Sequence, residues 1–214
     1  MSEQSNTFFN AVRHTLTDPR SAMRTIVAYD LPMVVLWQAF AVAVLANTLV
    51  AQLFLRMTAP PQFVATSEVD RQFAELLTAL FQFYLNPFTM TIVMASTFLV
   101  MVFAIHWIAR MFKGEAALKD AVGLIAWLQI VTLILSLAQA LVSIAIPALG
   151  GLTALLVNGL YLFLMTLMVA ELYRFTSPMN VFFVIICAGF GILLGLAVVL
   201  AIIGSVVGLG VDYV

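Results

Sequence analysis

The chain has 214 residues, of which 64% are hydrophobic and only 9% are charged. Soluble domains contain about 25% charged residues, so this composition excludes a soluble globular domain and indicates an integral membrane protein. The net charge of −1 comes with no basic face suited to nucleic acid. The single cysteine, Cys187, excludes an intramolecular disulfide and any paired-cysteine metal or redox motif.

The segment ahead of the first apolar run is polar to amphipathic. Phe8, Val12 and Leu16 recur every four residues, which places them on one face of a helix. Asp18 followed by Pro19 is a helix-start signal, with the acid as N-cap and the proline at the first helical position. The second helix groups apolar residues opposite two arginines, which is typical of a helix lying in the headgroup region. Packing on the protein's own cytoplasmic loops is the alternative.

Long apolar runs separated by charged loops predict an all-α membrane protein with five transmembrane helices. A span needs about 20 predominantly apolar residues, and five runs come close to or exceed that length. The predicted spans are residues 31–55, 87–109, 121–146, 152–170 and 179–207. The chain therefore divides into an N-terminal segment, a five-span membrane domain and a short tail, at residues 1–30, 31–208 and 209–214.

The first outer loop predicts a further interfacial helix, at about residues 67–85. Pro60 and Pro61 break the chain after the first span. Beyond them, apolar residues recur at helical spacing and charged residues occupy the opposite stripe. We expect this amphipathic helix to end at Asn86, because Pro87 disfavours helix at the residue before it.

The most densely charged run, from Arg110 to Asp120, lies between the second and third spans. Charged side chains are costly in hydrocarbon, so this run is an aqueous loop. Since cytoplasmic loops carry an excess of lysine and arginine, we place it inside. Seven of the nine basic residues then fall on the cytoplasmic side, and Arg56 and Arg71 fall on the other. The count predicts a cytoplasmic N-terminus, an external C-terminus and a location in the inner (cytoplasmic) membrane.

Residues suited to catalysis or to metal binding do not cluster in the sequence. His14 and His106 have no accompanying cysteine or acidic cluster, so we predict no metal site. Catalysis needs convergent titratable groups, and no acidic or basic residue lies within the spans clear of their ends. We therefore expect a protein that is not an enzyme, with no catalytic residues and no cofactor.

Candidate structural and interaction residues lie at the ends of the spans and in the glycine-rich fifth span. Gly191 and Gly195 form a GxxxG pair, whose spacing lets two helix backbones approach closely. We expect this pair to serve either packing within the monomer or homo-oligomerisation. The other candidates are Asp30, Pro32, His106, Arg110, Lys113, Gly114, Lys119, Asp120, Glu171 and Arg174.

A short internal similarity links the ends of the second and fourth spans. Residues 109–113 and 170–174 both read alanine, charge, apolar, aromatic, base. The two segments exit on the same side, as a parallel repeat requires, although chance similarity is the alternative. A true repeat would place Arg110 and Glu171 at equivalent positions, where we expect them to pair directly or through a neighbouring residue.

The order of these parts resembles the Yip family, five-span membrane proteins named for interacting with Ypt/Rab GTPases. The matching features are Asp18-Pro19-Arg20, Asp30-Leu31-Pro32, the Phe112-Lys113-Gly114 turn leading through Asp120 to Trp127, and the fourth-span exit at residues 171–175. Eukaryotic members carry Asp-Leu-x-Gly-Pro before the first span, whereas here Asp30-Leu31 runs directly into Pro32. Their long cytoplasmic N-terminal region also has no counterpart here. The chain looks more like the compact prokaryotic branch, so Rab binding is not carried over.

The resemblance implies the topology and a role in membrane organisation, with no assigned chemistry. We expect a non-enzymatic scaffold or interaction protein whose partners are the lipid bilayer and a protein that the sequence does not identify, with no nucleic acid. A transporter or channel-like protein for a lipid or small solute is the alternative. A polar cavity in mid-membrane would favour transport, and a fully packed bundle would favour the scaffold.

Overall fold

A computed structural model describes residues 2–57, 71, 78, 84–186 and 189–191, with side chains from Phe8 onward. The described chain is helical, with no strand. The helices are α1 (Ser2–Thr17), α2 (Pro19–Ala28), α3 (Met33–Met57), α4 (Pro87–Met111), α5 (Leu118–Ala145) and α6 (Gly150–Leu172). A 3-10 turn at Pro147–Leu149 precedes α6, and a shorter apolar helix, α7, covers Pro178–Gly191.

Four of these helices, α3 to α6, are long and apolar enough to cross a membrane. Their ends agree with the first four predicted spans to within one helical turn, which confirms the all-helical prediction and those four spans. α7 starts where the fifth span was predicted, but it is shorter than a span as described, and residues 192–207 lie outside the described residues. The fifth span therefore stays a prediction, as does the outer interfacial helix, most of which also lies outside them.

Two helix starts follow directly from local sequence. The side chain of Asp18 accepts a hydrogen bond from the backbone N–H of Ser21, and Pro19 occupies the first turn of α2, as predicted. Asn86 plays the same part for α4, where its side chain accepts from two backbone amides and Pro87 opens the first turn. Both caps satisfy donors that the helix itself leaves unpaired.

The centre of the bundle is the first half of α5, which packs against α3, α4 and α6. From Ala121 to Val131 nearly every residue is buried, and Val122, Leu124 and Leu128 have no exposed surface. A helix that is buried on all its faces needs neighbouring helices on every side. The fourth side of this half is supplied by the N-terminal helices.

The N-terminal helices pack on the bundle. Val12 and Thr15 of α1 and Ala22 and Met23 of α2 are buried, and Met23 belongs to the same apolar core as α5 and α6. The sequence left open whether α2 lies among lipid headgroups or packs on the protein. For these buried faces the structure shows packing on the protein.

Candidate functional site

The N-terminal helices and the ends of α4, α5 and α6 meet at one end of the bundle, which we call the charged face. It comprises α1, α2 and residues 29–32, 106–120 and 171–177. Three salt bridges join parts of the chain that are distant in sequence: Arg24 with Glu171, Lys119 with Asp30, and Arg174 with Glu115. These pairs connect α2 to α6, the α2–α3 link to α5, and the loop before α5 to the turn after α6.

Two of these pairs, Lys119 with Asp30 and Arg24 with Glu171, shift the pKa values of their members. The Lys119 ammonium holds the pKa of Asp30 below its usual range, chiefly by donating a hydrogen bond to its carboxylate. Arg24 Nε donates to Glu171 Oε1 over 2.6 Å, and this bond raises the pKa of Arg24. Exposed ion pairs contribute little to stability. Their main effect is therefore to fix the relative positions of the segments that they join.

The charged face also contains a buried tyrosine, Tyr173. Tyr173 is 2% exposed, and its hydroxyl lies 3.3 Å from Nδ1 of His106. Its ring stacks on Phe175, with centroids 6.1 Å apart. Burial raises the pKa of Tyr173 to about 12, so the phenol keeps its proton at neutral pH. The hydroxyl therefore serves as a neutral hydrogen-bonding group between α4 and α6.

Gly114 makes room for this tyrosine. A Cβ at this position would lie 2.6 Å from Cδ1 of Tyr173 and 2.9 Å from the carbonyl oxygen of Ala109. Both distances are shorter than van der Waals contact allows, so any side chain here would displace its neighbours. Glycine is thus needed for close approach.

The two similar segments, 109–113 and 170–174, adopt the same helix C-cap. In each, the backbone N–H that follows the segment donates to the carbonyl of the alanine that opens it, from Gly114 to Ala109 and from Phe175 to Ala170, both over 2.8 Å. This is the Schellman motif. Its left-handed position is filled by a basic residue each time, with φ of 64° at Lys113 and 57° at Arg174.

The expected pairing of Arg110 with Glu171 is wrong. Glu171 is held by Arg24, one of the two arginines of α2 that lie opposite its apolar residues. Arg110 lies instead near Tyr173, where its charge lowers the pKa of the phenol against the larger effect of burial. The similarity between the two segments therefore corresponds to shared backbone geometry and carries no ion pair between them.

The remaining predicted site residues have local or untested roles. Asp120 accepts a hydrogen bond from the backbone N–H of Ala117 and so caps the start of α5. The carbonyl of Pro32 accepts from two amides in the first turn of α3. Gly191 has open space where a side chain would stand, and Gly195 lies outside the described residues.

Two members of the charged face were missed in the sequence. Thr15 has no exposed surface and accepts a hydrogen bond of 2.9 Å from the indole N–H of Trp127. Its spacing from Val12 places it on the apolar face of α1, which could have identified it as a buried residue. Arg24 offered no such signal, because its partner is 147 residues away.

The bundle also contains an apolar groove, bounded by α4, α6 and α7 and continuous with one end of the charged face. Its volume is about 450 Å³, and its polar members cluster at residues 176, 177 and 180. Its lining is otherwise almost entirely apolar and includes Met101, Ile105, Met165, Val169, Val181 and Phe190.

A smaller cavity of about 220 Å³ lies between α3, α4 and α5 and has several polar side chains in its wall. Neither cavity has a charged side chain among its described lining residues. In the part of the chain that the structure describes, no three histidine, cysteine, aspartate or glutamate residues come together as a metal site would require.

Comparison with known proteins gives one match. A family model described as the Yip1 domain matches residues 13–206, which is nearly the whole chain. No curated protein and no solved structure matches. The matched range includes α2 to α7 and most of the charged face.

Proposed function

Because the chain belongs to the Yip1 domain family of integral membrane proteins, we propose that it is a non-enzymatic scaffold that recruits a protein partner to the membrane through its charged face. The observation that carries this proposal is the set of salt bridges that joins α2, residues 29–32, residues 112–120 and residues 171–177 into one surface. A preformed surface needs less ordering when a partner binds, which favours affinity.

The charge of that surface indicates what kind of partner fits it. Four exposed basic residues form no ion pair within the described residues: Arg13, Arg20, Arg110 and Lys113. Exposed apolar side chains lie beside them, including Met111 at 80% and Phe112 at 62% exposure. A partner segment with acidic residues around an apolar anchor would complement both features.

We place the charged face in the cytoplasm. The seven basic residues assigned to the inside by the sequence are all in α1, α2 or the loops and helix ends that join them on this face. Arg56 is at the opposite end of α3. This distribution follows the positive-inside rule and supports a cytoplasmic N-terminus in an inner membrane, with a C-terminus outside if the predicted fifth span crosses.

Transport, the alternative function, is not favoured. The polar cavity between α3, α4 and α5 is the feature that would argue for it. Ion and proton pathways usually carry ionisable groups within the membrane, and within the described residues the wall of this cavity has none, so the cavity does not support such a pathway. A path for a lipid or an uncharged solute needs no ionisable group, but the family match gives it no support.

The test compares recovery of bound proteins from native membranes in mild detergent. We expect the double variant Arg110→Gln and Lys113→Gln to lose a protein that the wild-type chain retains, because both exposed charges are removed. Arg56→Gln, at the other end of α3, is the matched control and should retain it. Identical sets of bound proteins for all three chains would contradict the proposal.

A reporter fused at Ser5 accompanies each chain, because loss of basic residues can alter orientation. The reporter is expected to lie in the cytoplasm in all three. A reporter on the other side in the wild-type chain would contradict the proposed orientation.

A further inference from the structure

The apolar groove between α4, α6 and α7 extends from the charged face toward the middle of the bundle. On α4 and α6, its described lining residues farthest from that face are Met101 and Tyr161, where the tyrosine hydroxyl lies 3.9 Å from the methionine sulfur. From Phe112 to Met101, the rise of an α-helix gives a length of about 16 Å. One leaflet contributes about half of a hydrocarbon core that is about 30 Å thick. The groove therefore has about the depth of a single leaflet.

The wall of the groove changes character along its length. Apart from the Tyr161 hydroxyl, the described lining residues on α4 and α6 are apolar. The polar residues Thr176, Ser177 and Asn180 lie together at the end next to the charged face. Within the described residues, the side chains of these three form no hydrogen bond. A volume of about 450 Å³ with an apolar wall and a few polar groups at one end suits an amphipathic ligand.

Basic residues flank the polar end of the groove. Lys113 directly follows Phe112, and Arg174 directly precedes Phe175; both aromatic residues line the groove, and both basic residues are exposed. Arg174 meets Glu115 at 4.0 Å, and a guanidinium with five N–H donors keeps others available beside that contact. Lys113 forms no ion pair within the described residues. The charge at this end is therefore complementary to an anionic headgroup.

We infer that the groove binds one anionic phospholipid from the leaflet on the side of the charged face. An acyl chain lies between α4, α6 and α7, and the phosphate lies at Thr176, Ser177 and Asn180, whose hydroxyl and amide groups donate hydrogen bonds to it. Lys113 and Arg174 contribute the positive charge. The inference does not depend on a protein partner, because the acyl chain contacts the groove wall and not the exposed residues of the charged face.

The experiment reconstitutes the full chain in equimolar phosphatidylglycerol and phosphatidylcholine with identical acyl chains, releases it into mild detergent and counts retained lipids by native mass spectrometry. We expect the wild-type chain to retain one lipid molecule, with a several-fold preference for phosphatidylglycerol. Retention of no lipid would overturn the inference, as when another segment of the chain or a second copy fills the groove. Equal retention of the two lipids would overturn it as well.

The variant Ala104→Phe tests where the lipid binds. Ala104 lines the groove, so the added ring would occupy the space assigned to the acyl chain. Ala41→Phe is the matched control, because Ala41 is exposed on α3 at nearly the same depth, eight residues after Met33, whereas Ala104 is seven residues before Met111. We expect Ala104→Phe to reduce lipid retention several-fold and Ala41→Phe to leave it unchanged. Equal retention by the two variants would contradict the assigned site.

A second variant, Lys113→Gln with Arg174→Gln, tests the headgroup and leaves the groove wall intact. Both side chains are exposed, so this variant should fold as the wild-type chain does, which its Tm checks. We expect it to retain a lipid but to lose the preference for phosphatidylglycerol. A preference as strong as that of the wild-type chain would overturn the assignment of an anionic headgroup to this end of the groove.

Discussion

The two halves of α5 are similarly apolar in sequence but differ in packing. From Ala121 to Val131 the helix is enclosed on all sides, whereas farther along Leu141 is 69% and Ile144 is 52% exposed. The first half is covered by α1 and α2 in addition to the neighbouring spans, and Thr15 of α1 hydrogen-bonds to Trp127. The comparison shows that an apolar sequence allows a helix to lie in the membrane. Whether the helix is buried within the protein depends on which other helices pack against it.

The difference extends to the charged face and the polar cavity. Beside the enclosed half of α5, salt bridges join segments that are distant in sequence, and two Schellman caps end α4 and α6. The cavity opens farther along the helix, with Thr132, Ser136 and Gln139 in its wall. The surroundings of the first half of α5 are thus closely packed, whereas farther along the helix there is space lined by polar groups.

The largest expected effect comes from truncating a leucine in the enclosed half of α5. Leu128→Ala should cost about 2 kcal/mol or more, near the lower end of core leucine truncations, because lipid replaces water as the surroundings in the unpacked state. Leu141→Ala, the matched control in the exposed half, should change the free energy of unfolding by less than about 0.5 kcal/mol. Reversible unfolding in mild detergent measures both.

An equal loss of unfolding free energy in the two leucine variants would contradict the difference in packing between the two halves of α5. That result would mean that the second half of α5 is as closely packed as the first. A small change for both would instead mean that the enclosed half is loosely packed.

A smaller effect is expected at the charged face from Gly114→Ala. The added methyl group would meet Tyr173 and the Ala109 carbonyl, and overpacking of this kind costs about 1–3 kcal/mol. Gly159→Ala is the matched control, because its Cβ would meet nothing within 4 Å inside α6. Alanine there should be neutral or stabilising by up to about 1 kcal/mol.

Thermal unfolding of the two glycine variants gives the measurement. If Gly114→Ala proved as stable as Gly159→Ala, Tyr173 would have to move easily, and the charged face would be less closely packed than the structure indicates.

The smallest expected effect is the loss, at acidic pH, of the stability contributed by the Asp30–Lys119 pair. Since Lys119 lowers the pKa of Asp30 in the folded protein, this pair contributes stability above the ordinary aspartate pKa of about 3.9. The contribution is lost as pH falls through the lower folded value. Between pH 7 and 5 the wild-type chain and Asp30→Asn should therefore keep a constant difference in Tm, and the difference should shrink below about pH 4. A difference that already shrinks between pH 7 and 5 would contradict the assignment.

Much of the fold was predictable because its causes are local. The length of an apolar run decides whether a helix can cross the bilayer, and this predicted α3 to α6 closely. Asp18 with Pro19 predicted the start of α2, since a capping side chain acts within three residues. The pattern as a whole also carried the family resemblance, which the match to residues 13–206 confirms.

The contacts of the charged face were decided by the tertiary structure. A salt bridge such as that of Arg24 with Glu171 depends on where two distant helices are brought together, and no periodicity encodes that meeting. The same holds for Gly114, whose need for glycine comes from the ring of Tyr173 and not from its own backbone angle.

By itself, the sequence determined that this is a multi-pass helical membrane protein and where its four described spans begin and end, because apolar length and capping are properties of neighbouring residues. Only the tertiary structure decided which half of α5 is buried, which acid pairs with Arg24, and that Asn47 and Gln129 border a polar cavity. These depend on the relative placement of helices, which is set by side-chain packing over the whole bundle.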